Sequence, residues 1–102
     1  MIVLGSEFKR NIHIDPIDGI HMSEYDFSVA VYAYTNKKVL FKKNQMRKID
    51  DDNYLLIVET EDCLRIGKGK LNFEIIAHIP DSDFSDGFRT EKLLICTDEV
   101  II

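Results

Sequence analysis

Little in this sequence announces a function, and each missing feature excludes something. Its longest apolar runs are four to six residues, far short of the roughly 20 needed to span a bilayer as a helix. The opening Met1-Ile2-Val3-Leu4 has no charged n-region and is too short for a signal-peptide core. The expectation is therefore a chain with no signal peptide and no membrane contact, cytoplasmic before any assembly into a larger particle. There is no basic surplus either: 13 Lys and Arg stand against 18 Asp and Glu, a net charge of -5. Nucleic-acid binding usually shows itself as a basic face, so no nucleic-acid partner is expected, whereas a protein partner is not excluded.

Catalytic signatures are missing as well. No nucleophile elbow, phosphate-binding glycine loop or dinucleotide fingerprint occurs, and Gly67-Lys68-Gly69 is too short to count as one. Cys63 and Cys96 have no spacing motif. With no export signal, buried free thiols are expected rather than a disulfide, although a bridge between two packed sheets is the alternative. Neither cysteine sits in a recognisable hydrolase context. An enzyme is not expected, and neither is a cofactor.

Metal chemistry is poorly served. Asp81-Ser82-Asp83-Phe84-Ser85-Asp86-Gly87 superficially follows a calcium loop, but its glycine falls one place late and Lys92 stands where the bidentate glutamate belongs. A solvated acidic turn is the better reading. Asp50-Asp51-Asp52 would need a neighbouring loop to hold a cation. His13, His21 and His78 are too scattered for a zinc motif, so surface histidines and no metal site are expected.

What the chain does have is a series of short β-like runs cut by turn signals. In Glu7 to Ile14, Phe8, Ile12 and Ile14 share one phase; Asp15-Pro16 and Asp18-Gly19 end it. Tyr25 to Thr35 alternates more clearly, with Tyr25, Phe27, Val29, Val31 and Ala33 on one face. A helical period fits part of this run, but its aromatic and β-branched content favours a strand. Val39 to Lys43 reads as a short strand with Val39 and Phe41 inward, followed by a brief one around Met46 to Ile49. Asp50 to Asn53 reads as a turn, and Tyr54 to Thr60 as a strand covered on both faces. Glu61 to Gly67 is expected to form a helical turn stopped by glycine, with Leu64 and Ile66 tucked in. Lys70 to Ile79 alternates again, placing Leu71, Phe73, Ile75, Ala77 and Ile79 on one face, and Pro80 stops it. Phe88 to Thr97 resumes a strand, and Val100 to Ile102 closes the chain.

About seven short strands with almost no helix indicate an all-β fold, an antiparallel immunoglobulin-like β-sandwich, with a small β-barrel as the alternative. At 102 residues, with no linker or internal repeat, the chain reads as a single sandwich domain over 1–102.

One surface stands out. If the odd positions of the two alternating runs face the core, then Tyr32, Tyr34 and Ile76 point away from it. Large apolar or aromatic side chains on an outer sheet face mark contact with something else, unless a loop or the N-terminal segment covers them. These three form the candidate partner surface, for a protein partner or for self-association. Lys37, Lys38, Lys42, Lys43, Arg47 and Lys48 make the one basic cluster, expected to guard a sheet edge.

Several stretches, Glu7-Phe8-Lys9, Pro16-Ile17-Asp18-Gly19, Tyr25-Asp26-Phe27, Asp50-Asp51-Asp52-Asn53-Tyr54, Gly69-Lys70-Leu71 and the run from Ile79 to Glu91, together resemble small uncharacterised proteins of Bacteroides-type genomes and their phages. The order of strands is also similar to the immunoglobulin-like N-terminal domain of phage baseplate upper proteins. There, an extended strand pair, a polar lysine-rich stretch and a glycine-led long strand follow one another. The resemblance implies a virion or prophage structural module that works by contact, and it transfers no functional residue. Baseplate proteins continue into a fibre-joining region that this sequence does not include. The competing expectation is a carbohydrate- or cation-binding module built on the Asp50–Asn53 and Asp81–Gly87 loops.

Overall fold

The turn at Asp51-Asp52 shows how local chemistry sets the chain's path. Asp50 Oδ1 accepts from the Asp52 amide at 2.9 Å and from Asn53 Nδ2 at 2.8 Å, the Asx geometry that reverses a chain without help from glycine. In the computed structural model, which describes residues 1–102, this turn joins β4 (Arg47–Asp50) to β5 (Asn53–Val58). The remaining elements are β1 (Phe8–His13), β2 (Asp26–Tyr32), β3 (Val39–Lys42), α1 (Thr60–Ile66), β6 (Gly69–Pro80) and β7 (Phe88–Ile101). Single 3-10 turns at Met22–Glu24 and Lys43–Gln45 lead into β2 and β4.

All strand pairing within the two sheets is antiparallel. One sheet has the order β1-β5-β4, the other β3-β2-β6-β7. The two pack face to face as a sandwich and do not close into a barrel. Their strand order is their own. An immunoglobulin constant domain sets its second strand between the first and fifth, whereas here β2 lies between β3 and β6. The cause is local: Ala33 to Lys38 turns β2 straight back onto β3, with Lys37 N–H donating to Tyr34 O at 3.0 Å.

The two alternating runs supply the core. Phe27, Val29 and Val31 from β2 and Leu71, Phe73, Ile75, Ala77 and Ile79 from β6 are all buried on one face. Ile12, Tyr54, Leu56 and Val58 meet them from the other sheet, and Ile2, Met22, Ile66 and Ile101 fill the margins. Aromatic edges interlock at the centre, with Phe27 and Tyr54 at 5.1 Å and 82°, a favoured arrangement for ring quadrupoles.

Helix α1 forms where the sequence placed a glycine-stopped turn. Asp62 accepts from the Glu59 N–H at 3.2 Å at its start, and Gly67, at φ 80°, ends it by donating to Cys63 O. Three details of the sequence reading are corrected here. Ile66 is fully buried, but Leu64 is 54% exposed, because a seven-residue helix lying on the sandwich turns only one side inward and Cys63 and Ile66 occupy it. The thiols also differ. Both are free, Cys63 buried and Cys96 exposed, since Cys96 lies on the outer side of an edge strand. Finally, the expected last two strands are one: β7 runs for 14 residues, its register shifting opposite Lys70 to Asn72. That bulge is why the alternation near Thr97 to Glu99 looked like a break.

Candidate functional site

The outer face of the four-stranded sheet gathers the residues singled out as a contact surface. Its layout follows from register. Ala30 lies opposite Leu40 on one side and Glu74 on the other, and Glu74 opposite Leu94, which makes a row across all four strands. The next row is Lys42, Ser28, Ile76 and Lys92. Tyr32, Asn72 and Cys96 form a row to one side, and Asp26, His78 and Thr90 one to the other.

The three named residues are not equivalent. Ile76 is half-buried near the middle of the face, flanked by Ser28 and Lys92. Tyr34 is 57% exposed beyond the end of β2, its ring beside Gly69. Tyr32 is only 7% exposed. The turn after β2 folds Lys38 over it, with Nζ at 4.9 Å from the ring centroid and 3.5 Å from Glu74. A loop thus covers Tyr32, and its ring is not offered to a partner.

Two residues the sequence reading passed over carry more of the exposed apolar area. Leu40 and Leu94 are 51% and 59% exposed and stand at the two ends of one row. Leu40 was visible as the out-of-phase residue between inward Val39 and Phe41. Leu94 was hidden in Leu93-Leu94-Ile95-Cys96, where every position is apolar and period says nothing.

One end of this face deepens into a cleft of about 580 Å³ lined by Asp26, Ser28, Lys42, Lys43, Asn44 and His78 among others. Its floor is held by Lys43, whose ammonium donates to Ser23 O at 3.0 Å and Tyr25 O at 2.8 Å and lies near the Phe27 and Tyr54 rings. Burial lowers the pKa of this amine from its ordinary value, and nearby Asp26 partly opposes that. Asp26, Ser28 and His78 share the cleft, yet no hydrogen bond joins any two of their side chains. The His78 ring faces Thr90 Oγ1 at 3.3 Å instead. An activated hydroxyl needs a base within hydrogen-bond reach, and neither Asp26 nor His78 is hydrogen-bonded to Ser28 Oγ.

The acidic loops are occupied with their own structure. Asp51 accepts from Ser23 Oγ at 2.9 Å and pairs with Lys48 at 3.1 Å, while Asp52 meets His21 Nδ1 at 2.8 Å. These contacts pin the loop before β2 to the β4–β5 turn. They hold the Asp51 carboxyl below the usual range and raise the His21 imidazole, whose largest cause is the hydrogen bond to Asp52. In the β6–β7 connection, Asp81 accepts from Asp83 N at 3.1 Å and Asp86 from Phe88 N at 3.0 Å. Arg89 reaches Asp18, Asp81 and Glu91 at 2.8, 2.8 and 3.0 Å and ties that hairpin to the loop after β1. No three His, Cys, Asp or Glu side chains converge as a ligand set.

The basic cluster is dispersed by folding. Lys38 caps Tyr32, Lys43 turns inward and Lys48 pairs with Asp51. Lys42 remains on β3, a four-residue strand at the sheet's edge. No helix is long and apolar enough to cross a membrane. No family model, curated protein or solved structure matches this chain.

Proposed function

We propose that this chain is a non-enzymatic contact module that binds protein through the outer face of its four-stranded sheet. The observation that carries the reading is the pair of exposed leucines, Leu40 and Leu94, at the two ends of a row that has Ala30 and Glu74 between them, with half-buried Ile76 in the next row between Lys42 and Lys92. Exposed apolar side chains set among polar ones occur in protein interfaces. The register of the sheet face is fixed by the core beneath, so a partner meets it without a folding cost at these residues. A place in a phage or prophage assembly, the baseplate or tail, is the finer form of this proposal and draws on the sequence resemblance.

Site-specific photo-crosslinking in the native cell tests the face. A photoreactive residue at Leu40 should give discrete adducts with other proteins, and the same probe at exposed Glu61 on α1 should not. A virion protein in the Leu40 adduct would support the finer form. Adducts of equal yield at both positions, or none at Leu40, would remove the proposal.

A further inference from the structure

We infer that two copies of this chain pair along β7, joining their four-stranded sheets into one sheet of eight. The inference concerns the edge of the sheet and holds whatever the sheet face binds.

The open edge can be derived from one proline. Pro80 lies opposite Phe88 and has no N–H, and the Phe88 N–H donates to Asp86 Oδ1 instead, so that pair exchanges no hydrogen bonds. The following pair does bond, with Asp81 N–H donating to Gly87 O at 2.9 Å. Antiparallel pairs alternate between bonded and non-bonded. Arg89, Glu91, Leu93 and Ile95 therefore bond to β6, while Thr90, Lys92, Leu94 and Cys96 turn their N–H and C=O groups outward. No strand takes them: from Phe88 to Cys96 β7 pairs with β6 alone. The edges at β3 and β4 are four residues long and that at β1 six. On β7 the unbulged edge is longer, and apolar residues lie on both of its faces, with Leu94 59% and Ile95 39% exposed. Charge blunts the first half of this edge, at Arg89, Glu91 and Lys92, but Leu93 to Cys96 carry none.

The side chains choose a second copy, and one register of it. Outward groups must meet outward groups, so even residues pair with even. With a twofold axis through Leu94, Leu94 meets Leu94, Leu93 meets Ile95 and Lys92 meets Cys96, all short of the bulge at residues 97–99. Apolar residues then meet at the centre, and no like charges stand opposite among these pairs. An axis at Leu93 places Glu91 against Ile95 and Lys92 against Leu94. An axis at Ile95 keeps only Leu94 to Cys96 paired before the bulge, and one at Lys92 sets the two lysines together. Directly opposed like charges destabilise a strand pair. In the Leu94 register the two outer faces lie side by side on one surface of the joined sheet. An edge contact of this length belongs with the smaller interfaces, so the pairing is concentration-dependent.

Sedimentation equilibrium of the purified full chain reads this directly. The mass should rise from one chain toward two with concentration. Leu94→Lys, which puts two ammonium groups on the axis, should hold the chain at one copy, with its melting temperature equal to that of the unaltered chain at dilutions where both are single. Lys92→Cys supplies a readout that needs no loss of binding. It places a thiol opposite native Cys96 in a bonded pair, where Cα atoms are about 5.5 Å apart, inside the disulfide range of roughly 4.4–6.8 Å. Mild oxidation should give a covalent dimer that Cys96→Ser abolishes. A single-chain mass at every concentration, a dimer indifferent to Leu94→Lys, or no covalent dimer from Lys92→Cys would each overturn the pairing. None of these outcomes bears on the Leu40 adducts, so failure here and failure of the face are told apart.

Discussion

Arg10 of β1 and Glu99 of β7 form a two-pronged ion pair that straps one sheet to the other. Arg10 Nε donates to Glu99 Oε2 at 2.7 Å while Nη2 donates to Oε1. The guanidinium also lies over Phe8, 5.3 Å from the ring centroid. The two side chains are 33% and 36% exposed, so water screens much of the Coulomb gain. A double-mutant cycle with Arg10→Ala and Glu99→Ala should give a coupling of about 0.5–1 kcal/mol that shrinks with added salt. Coupling indistinguishable from zero at low salt would mean that the strap contributes nothing.

Tyr25 gives the opposite case, a polar atom with no partner. Its hydroxyl is buried without a hydrogen bond, and burial, with the negative charges of Asp52 and Glu91 added, pushes its pKa up to about 12. Leaving such a group unmade costs about 1–3 kcal/mol. Tyr25→Phe should therefore leave the denaturant midpoint unchanged or raise it. A loss of more than about 1 kcal/mol would show that the hydroxyl is hydrogen-bonded in solution, through a water for example.

The two apolar residues of α1 should separate sharply on truncation. Ile66 is fully buried, so Ile66→Ala should cost about 2–5 kcal/mol in lost transfer energy and a residual cavity. Leu64 is mostly in water, and Leu64→Ala should change stability by no more than ~0.5 kcal/mol. Equal costs measured by urea unfolding would contradict the way the helix is seated.

Acid and base act on different contacts at the β4–β5 end. The His21 imidazole is raised above its ordinary 6.5, first by its hydrogen bond to Asp52, and His13 is raised likewise, first by Asp15. A raised folded value means that the contribution is fully present below about pH 6.5 and is lost as pH climbs through the folded pKa. Asp50 and Asp51 run the other way. Asn53 and the Asp52 amide hold Asp50 down, while Ser23 and Lys48 hold Asp51 down. Their contribution is present above the ordinary 3.8 and is lost as pH falls through the lowered values. Melting temperature should therefore decline on both sides of mildly acidic pH, and His21→Gln should flatten chiefly the alkaline limb, since the His21 charge is only the least of the causes that lower Asp51. An unchanged alkaline limb in that variant would assign the decline to other groups.

Much of this molecule was legible because a buried β-strand writes its pleat into the sequence. Phe27, Val29 and Val31 and the five alternating residues from Leu71 to Ile79 needed only a period of two to be placed in the core. The Asp50–Asn53 turn and the Gly67 stop were equally local. What was not legible depends on neighbours distant in the chain. Tyr32 reads as an outward tyrosine until Lys38 and Glu74 are known to close over it. Cys96 reads as a core thiol until β7 is known to lie at an edge. The contact row is the extreme case, because Leu40, Ala30, Glu74 and Leu94 come together only through three separate strand pairings.

The N-terminal segment and the end of β7 run side by side in the same direction: Ile2 N–H donates to Val100 O, Ile102 N–H to Ile2 O and Leu4 N–H to Ile102 O, at 2.9, 2.8 and 2.8 Å. Tension applied between Met1 and Ile102 would slide these two stretches past one another, loading the three bonds together instead of peeling them in turn. Resistance to being pulled apart is governed by the unfolding rate rather than by equilibrium stability. A module of modest thermal stability would on this account still be a stiff link when strained end to end.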